Sequence, residues 1–268
     1  MTVTISSARD PAVPELLRHG RIDITGRMVD ASNATLFGTI AADGVEAQCV
    51  YKPVRGERPL WDFPDGTLAG REVASFLVSE AAGFHVVPPT LLRDGPFGPG
   101  MVQVWVDTED RQPVDLCSPK KVPAGWIGVL RARGERGQPA VLAHADTPAL
   151  QRMAAFDVVV NNADRKGGHV LAGIDGHLYG VDHGLTLHVE DKLRTVLWGW
   201  VGQALPPEVV EGLEKLRAEL NGSLADVLGE HVTRREVRTL SSRVDSLLTA
   251  PTYPEPSGYG PAIPWPAF

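Results

Sequence analysis

The rhythm of the chain changes once, near Asp107, and that change constrains the fold more than any other feature. From Gly20 to Pro53 the sequence reads as short β-branched runs, "RIDITGRMV", "ATLFGTI" and "EAQCVYKP", separated by the turn signals "DASN" and "ADGV". This punctuation predicts three antiparallel strands. Next, "TLAGREVASFLVSEAAG" carries Val73, Phe76 and Leu77 at helical spacing and ends in glycine, so one amphipathic helix is expected. "FHVVPPTLLRDGPFGPGMVQVWV" then returns to strand-like runs between Pro and Gly turns, about two strands at the usual length. Beyond Asp107 a Pro/Gly-rich stretch, 107–139, leads into "DTPALQRMAAFDVVVNNADR", where Thr147 can cap a helix and Pro148 suits its first position. Pro206 and Pro207 start a further helix with Val209, Leu213, Leu216 and Leu220 on one face, and "TRREVRTLSSRVDSLL" opens with a Thr233-x-x-Glu236 capping box.

Strands first and helices after them predict an α+β fold: a β-rich lobe over 20–106 and a larger, mainly helical lobe over 107–249. A flexible lead-in, 1–19, precedes them. The tail, 250–268, holds six prolines among aromatics, so it is neither helix nor central strand and either drapes over the surface or is mobile.

Composition limits the partners. With 43% hydrophobic and 22% charged residues the 268-residue chain is ordinary globular material, and its net charge of −7 argues against nucleic acid or an anionic bilayer as the main partner. Two cysteines, Cys49 and Cys117, are too few for a disulfide framework or a thiolate metal cluster, which points to a reducing, cytoplasmic setting. No apolar run reaches membrane-spanning length and the N-terminus lacks a signal-peptide pattern, leaving only peripheral membrane contact open.

Two segments carry candidate chemistry. Lys52 ends a strand, and Glu72 lies beside Val73 and one turn before Phe76, so its carboxylate leans toward the buried stripe and requires a partner; Lys52 is the nearest candidate. A strand lysine paired to a helical glutamate is how kinases aim an ammonium at nucleotide phosphates. The turn "VDASNAT" offers Ser32 and Asn33, small polar residues that suit either a hairpin turn or a phosphate contact. The run "NNADRKGGHV" is sharper: two consecutive glycines are costly unless the backbone needs unusual angles or close approach. A short hairpin, "HVLAG" to "HLYGVD", can bring Asp164, His169 and Asp182 to one end of a two-stranded ribbon, a geometry for an acceptor base and metal ligands. No H-E-x-x-H, C-x-x-C, G-x-S-x-G or Walker loop is present, which removes the common zinc, serine-hydrolase and P-loop readings.

Taken in order, Lys52, Glu72, "FDVVVNNADRKGGHVL" and "YGVDHG" resemble the phosphatidylinositol 3- and 4-kinase-related superfamily, including the type II phosphatidylinositol 4-kinases and toxin kinases of the HipA type, and most of all an actinobacterial branch. Its F-D-x-x-x-x-N-x-D-R pattern falls on Phe156, Asp157, Asn162, Asp164 and Arg165. The resemblance implies a bilobal protein-kinase-like fold binding ATP with Mg or Mn between its lobes. It implies that Asp164 is the catalytic-loop aspartate, Asp182 a metal ligand, Lys52 the phosphate-contacting lysine and Ser32 part of the phosphate loop. Backbone groups around Val104 would meet adenine. His169 stands where the family has a metal-binding Asn, Lys166 could steady the transferring phosphoryl group, and the Phe of the metal motif is His183. The expected activity is transfer of the γ-phosphate to a hydroxyl of a protein, small molecule or inositol lipid. A nucleotide-binding pseudokinase and a nucleotidyl (AMP) transferase are the alternatives.

Overall fold

The computed structural model describes residues 2–28, 33–134 and 136–268. The strand pattern of the first hundred residues folds as one antiparallel sheet of β2 (Arg21–Arg27), β3 (Leu36–Ala42), β4 (Val45–Pro53), β6 (Gly98–Val104) and β5 (Thr90–Gly95) in that spatial order, with β1 (Val3–Thr4) added in parallel to β4. Register divides the sheet into two faces: Cys49 pairs with Val104 and Tyr51 with Val102 on one, Lys52 with Met101 on the other.

The lead-in, expected to be flexible, instead forms α1 (Val13–His19), which buries Val13, Leu16 and Leu17 against Ile40, Cys49, Tyr51, Val102 and Val104. Pro14 in the first turn favours the helix, and without α1 this face of the sheet would lie open to water. Both cysteines are buried and free, and burial pushes the Cys49 thiol up to about 11.

The other face meets α2 (Leu68–Ala81). Thr67 caps it by accepting from the Gly70 amide, and Glu57 accepts from the amides of Leu68 and Ala69, so three of the orphan donors at this end are satisfied. Against the sheet α2 shares only a small core of Ala69, Val73 and Met101, whereas its Ala74, Val78 and Ala82 flank belongs to the large core of the helical half.

That core contains α3 (Pro148–Val160), α4 (Pro207–Leu220), α5 (Leu224–Leu228) and α6 (Arg234–Thr249). Thr147 caps α3, and Thr233 with Glu236 forms a reciprocal capping box on α6, as their sequences predict. The stretch 107–139 is not merely a connection. It contributes β7 (Val114–Cys117) and β8 (Trp126–Arg133), which flank β9 (Pro139–Ala145) in a separate three-stranded antiparallel sheet. The helical half therefore carries more strand than periodicity indicates, because β8 breaks register between Gly128 and Leu130 and keeps no clean alternation.

The hairpin forms as β10 (Val170–Ala172) and β11 (Leu178–Gly180). The tail drapes: Tyr253 is buried with its hydroxyl donating to Gln151 O, Thr195 N and Trp198 Nε1 donate to Ala262 O, and Gly167 N donates to Ala267 O. No helix among the described residues is long and apolar enough to cross a membrane.

Candidate active site

The centre of the site is one ammonium. Lys52 Nζ lies 2.6 Å from Glu72 Oε1 and 2.7 Å from Asp182 Oδ1, joining β4, α2 and the segment after β11. Burial alone would lower the Lys52 pKa, but Asp182 and Glu72 outweigh it and raise it, so the lysine stays charged. Glu72 is 1% exposed. Burial raises its pKa against the pull of Lys52, and its second oxygen accepts from the His183 amide at 2.9 Å. Glu72 thus fixes both the lysine and the backbone next to Asp182.

Asp182 adopts φ 60°, the left-handed region, which a short polar side chain tolerates better than most. Its side chain is 49% exposed and open to the cleft, and Lys52 holds its carboxyl well below the usual range.

The catalytic-loop candidate is held from beneath by Arg165, which is 0% exposed. Its guanidinium donates to the buried Asp157 carboxylate, with Nη2–Oδ1 at 2.8 Å, to the carbonyls of His169 and Val181 at 3.1 Å, and to His183 Nε2 at 2.7 Å. One side chain therefore ties the end of α3, the "KGGH" turn and the approach to Asp182. Asn162 completes the frame: its amide donates to Asp157 Oδ1 and its carbonyl accepts from Asp164 N.

On this frame Asp164, His169 and Asp182 each offer a ligand atom within 4.8 Å of one another. His169 Nδ1 donates to the Asp164 carbonyl at 2.9 Å, which leaves the Nε2 lone pair facing Asp182 Oδ2 at 3.5 Å. Burial pushes the His169 pKa down to about 4, so the imidazole is neutral at physiological pH. Two carboxylates and a neutral imidazole with a directed lone pair suit one divalent cation. Lys166 Nζ lies 3.3 Å from Asp164 Oδ2, and burial raises the Asp164 pKa while Lys166 opposes it.

Lys52, Glu72, Asp164, Lys166, His169 and Asp182 thus converge. Val104 and Asn33 make other contacts. Val104 ends β6 with its side chain buried on the α1 face, away from Lys52, and its amide donates to Pro89 O. Asn33 Oδ1 accepts from the Arg58 amide, and Ser32 lies outside the described residues.

Three further residues shape the site without a clear signal in the sequence. Arg71, 1% exposed, reaches Glu236 Oε1 at 2.5 Å and Thr186 O at 2.6 Å, pinning α2 to α6 and to the segment after Asp182. Ser75 Oγ meets Thr186 Oγ1 at 2.9 Å. Asn161, left-handed at the end of α3, donates to the carbonyls of His188 and Glu190 and accepts from Lys192 N, so it holds the loop beyond the metal motif. Its position directly after an apolar helical run is the one hint available beforehand.

The fold is that of the kinase-like class. It is similar to the Golgi casein kinase with a TM-score of 0.51 and 14% sequence identity, covering 90% of this chain and 74% of that one. The proinflammatory kinase CtkA of Helicobacter pylori is similar over 94% of this chain and 95% of its own, with a TM-score of 0.49 and 10% identity. No protein-family model matches the sequence. The chain belongs to the family of protein Rv2133c of Mycobacterium tuberculosis (strain ATCC 25618 / H37Rv), to which it is 50% identical over 263 residues, 94% of each chain.

Proposed function

We propose that this chain is an ATP-dependent phosphotransferase that moves the γ-phosphoryl group to an acceptor hydroxyl. The observation that carries this reading is the Lys52 ammonium held between Glu72 and Asp182, at 2.6 and 2.7 Å, above a loop that presents Asp164. The kinase-like fold supports it, and the F-D-x-x-x-x-N-x-D-R spacing at Phe156–Arg165 favours the phosphatidylinositol 3-/4-kinase-related branch.

Phosphoryl transfer passes through a loose transition state, so positioning and charge neutralisation carry most of the rate. Lys52 is aimed at phosphate oxygens and stays protonated because two carboxylates surround it. Asp182 and His169 would hold a divalent ion, Mg²⁺ or Mn²⁺, which supplies Lewis-acid neutralisation of the phosphates when bound, with the Asp164 carboxylate beside it kept for the acceptor. Asp164 orients the acceptor: its carboxylate takes the proton as the hydroxyl oxygen bonds to the γ-phosphorus and the bridging P–O bond breaks with its electron pair going to ADP. The raised pKa of this partly buried carboxylate favours that role. Lys166, 3.3 Å from it, offers positive charge to the moving group. The Asp157–Arg165–Asn162 frame holds the loop still, which is where catalysis by orientation originates.

Isothermal titration with ATP, with and without Mg²⁺ or Mn²⁺, followed by intact mass of the same sample, tests the proposal. Metal-dependent binding with a phosphate adduct or ADP formation is expected. An AMP adduct would instead identify nucleotidyl transfer, binding without product would leave a pseudokinase, and absence of binding would overturn the assignment.

A further inference from the structure

The loop bearing Asp164 is supported from two sides. The inner side is the Arg165 network. The outer side is the tail, which no step above uses. Gly167 N donates to Ala267 O at 2.8 Å, and the Phe268 ring packs directly on Gly167: a Cβ added there would lie 2.1 Å from Phe268 Cε1 and 2.5 Å from Cζ. The ring therefore takes the place that any larger residue at 167 would fill. The same strand of tail is anchored upstream, where Ala262 O accepts from both Thr195 N at 3.0 Å and Trp198 Nε1 at 2.8 Å. Ile263 and Ala267 also rest against the main core.

These contacts fall where they matter. Gly167 begins the short 3-10 turn Gly167–His169, with His169 N donating to Lys166 O at 3.2 Å, so a brace on Gly167 restrains Lys166 before it and His169 after it. Two adjacent glycines leave the loop free to wander unless something outside fixes it. Among the described residues nothing lies within 4 Å of a Cβ at Gly168, so Gly167 is where that outside support reaches this glycine pair.

We infer that Phe268 is a positioning residue: seated on Gly167 and tied down by Ala267 O, it braces the catalytic loop and holds Lys166 in register with Asp164. The catalytic half of this inference rests on the phosphotransferase reading; the mechanical half does not.

Hydrogen exchange of the nucleotide-free protein tests the mechanical half. Phe268→Ala should speed exchange of the Gly167–His169 amides by roughly tenfold or more, as local opening becomes easier, and Phe268→Leu should restore most of the protection. Gly167→Ala should have the same effect by displacing the ring, and combining it with Phe268→Ala should add nothing. Unchanged exchange, or additive effects, would overturn the brace. Turnover of ATP tests the catalytic half: Phe268→Ala should lower kcat by about tenfold while the dissociation constant of metal–ATP stays within about twofold, the pattern of lost orientation. Faster exchange with unaltered kcat would overturn the positioning role. If the wild-type protein bound no metal–ATP, the phosphotransferase reading would fall, and exchange alone would decide the brace.

Discussion

Replacing Glu236 with Gln isolates the link that fastens α2 to α6. Arg71 and Glu236 are 1% and 2% exposed, their Nη2–Oε1 distance is 2.5 Å, and the other carboxylate oxygen accepts from the amide and hydroxyl of Thr233. An amide in the same volume removes the charge and has only one oxygen for two sets of donors. Either the guanidinium or the Thr233 N–H then faces an NH₂ group. Breaking a buried ion pair from one side costs about 3–5 kcal/mol, and each kcal/mol moves the melting temperature of a chain this size by roughly 2–4 °C. Tm should therefore fall by roughly 6–20 °C in differential scanning calorimetry. The double substitution Arg71→Met with Glu236→Leu should recover a large part of that loss, because no charge is left unpaired. A shift below about 3 °C for Glu236→Gln would refute the reasoning, since it would mean that water or another acceptor already serves Arg71.

Other outcomes follow from the same geometry. Asp182→Asn should abolish metal-dependent ATP binding, whereas Asp164→Asn should retain binding and lose transfer; titration calorimetry and product mass separate the two. His169→Asn should move the metal preference from Mn²⁺ toward Mg²⁺ by at least about tenfold in titrations of either ion, because an imidazole nitrogen suits the harder ion poorly. The buried His144 donates from Nδ1 to Ala145 O and accepts from Gly199 N at Nε2, and burial lowers its pKa. The unfolded chain therefore binds this proton more readily than the folded one. Its contribution is complete above the unfolded pKa of about 6.5 and is lost as pH falls below it. Thermal melts from pH 7 down to 5 should decline less steeply for His144→Gln than for the wild type.

Much of this arrangement was legible because local chemistry announces it. Glu72 sits on the buried side of a helical stripe, which demanded a cation, and the strand ending at Lys52 supplied one. Asp164 and Asp182 flank a glycine pair and a hairpin that leave few alternatives. What stayed hidden depends on distance along the chain. Glu236 shows its cap in the sequence, yet nothing marks it as the partner of an arginine 165 positions earlier. Asp157 stands out as part of the F-D-x-x-x-x-N-x-D-R pattern, but that Arg165, Asn162 and Thr195 all close around its carboxylate shows only in the fold. Residues 107–139 concealed a sheet because a bulge and a wet outer face erase its alternation. The lead-in concealed α1 because seven residues with a proline carry little periodicity.

The attachments of α2 also determine how the molecule can deform. Its Arg71, Glu72 and Ser75 reach Glu236, His183 and Thr186 in the helical half, while toward the sheet it has the Lys52 contact and the thin layer of Ala69, Val73 and Met101. Mechanically the helix belongs to the larger body. Any opening of the cleft must then part the Lys52 ammonium from a carboxylate and slide the five long strands over that thin apolar layer, while the hairpin, whose Tyr179 is buried in the α1-side core of the sheet, still ties the strands to the segment that carries Asp182.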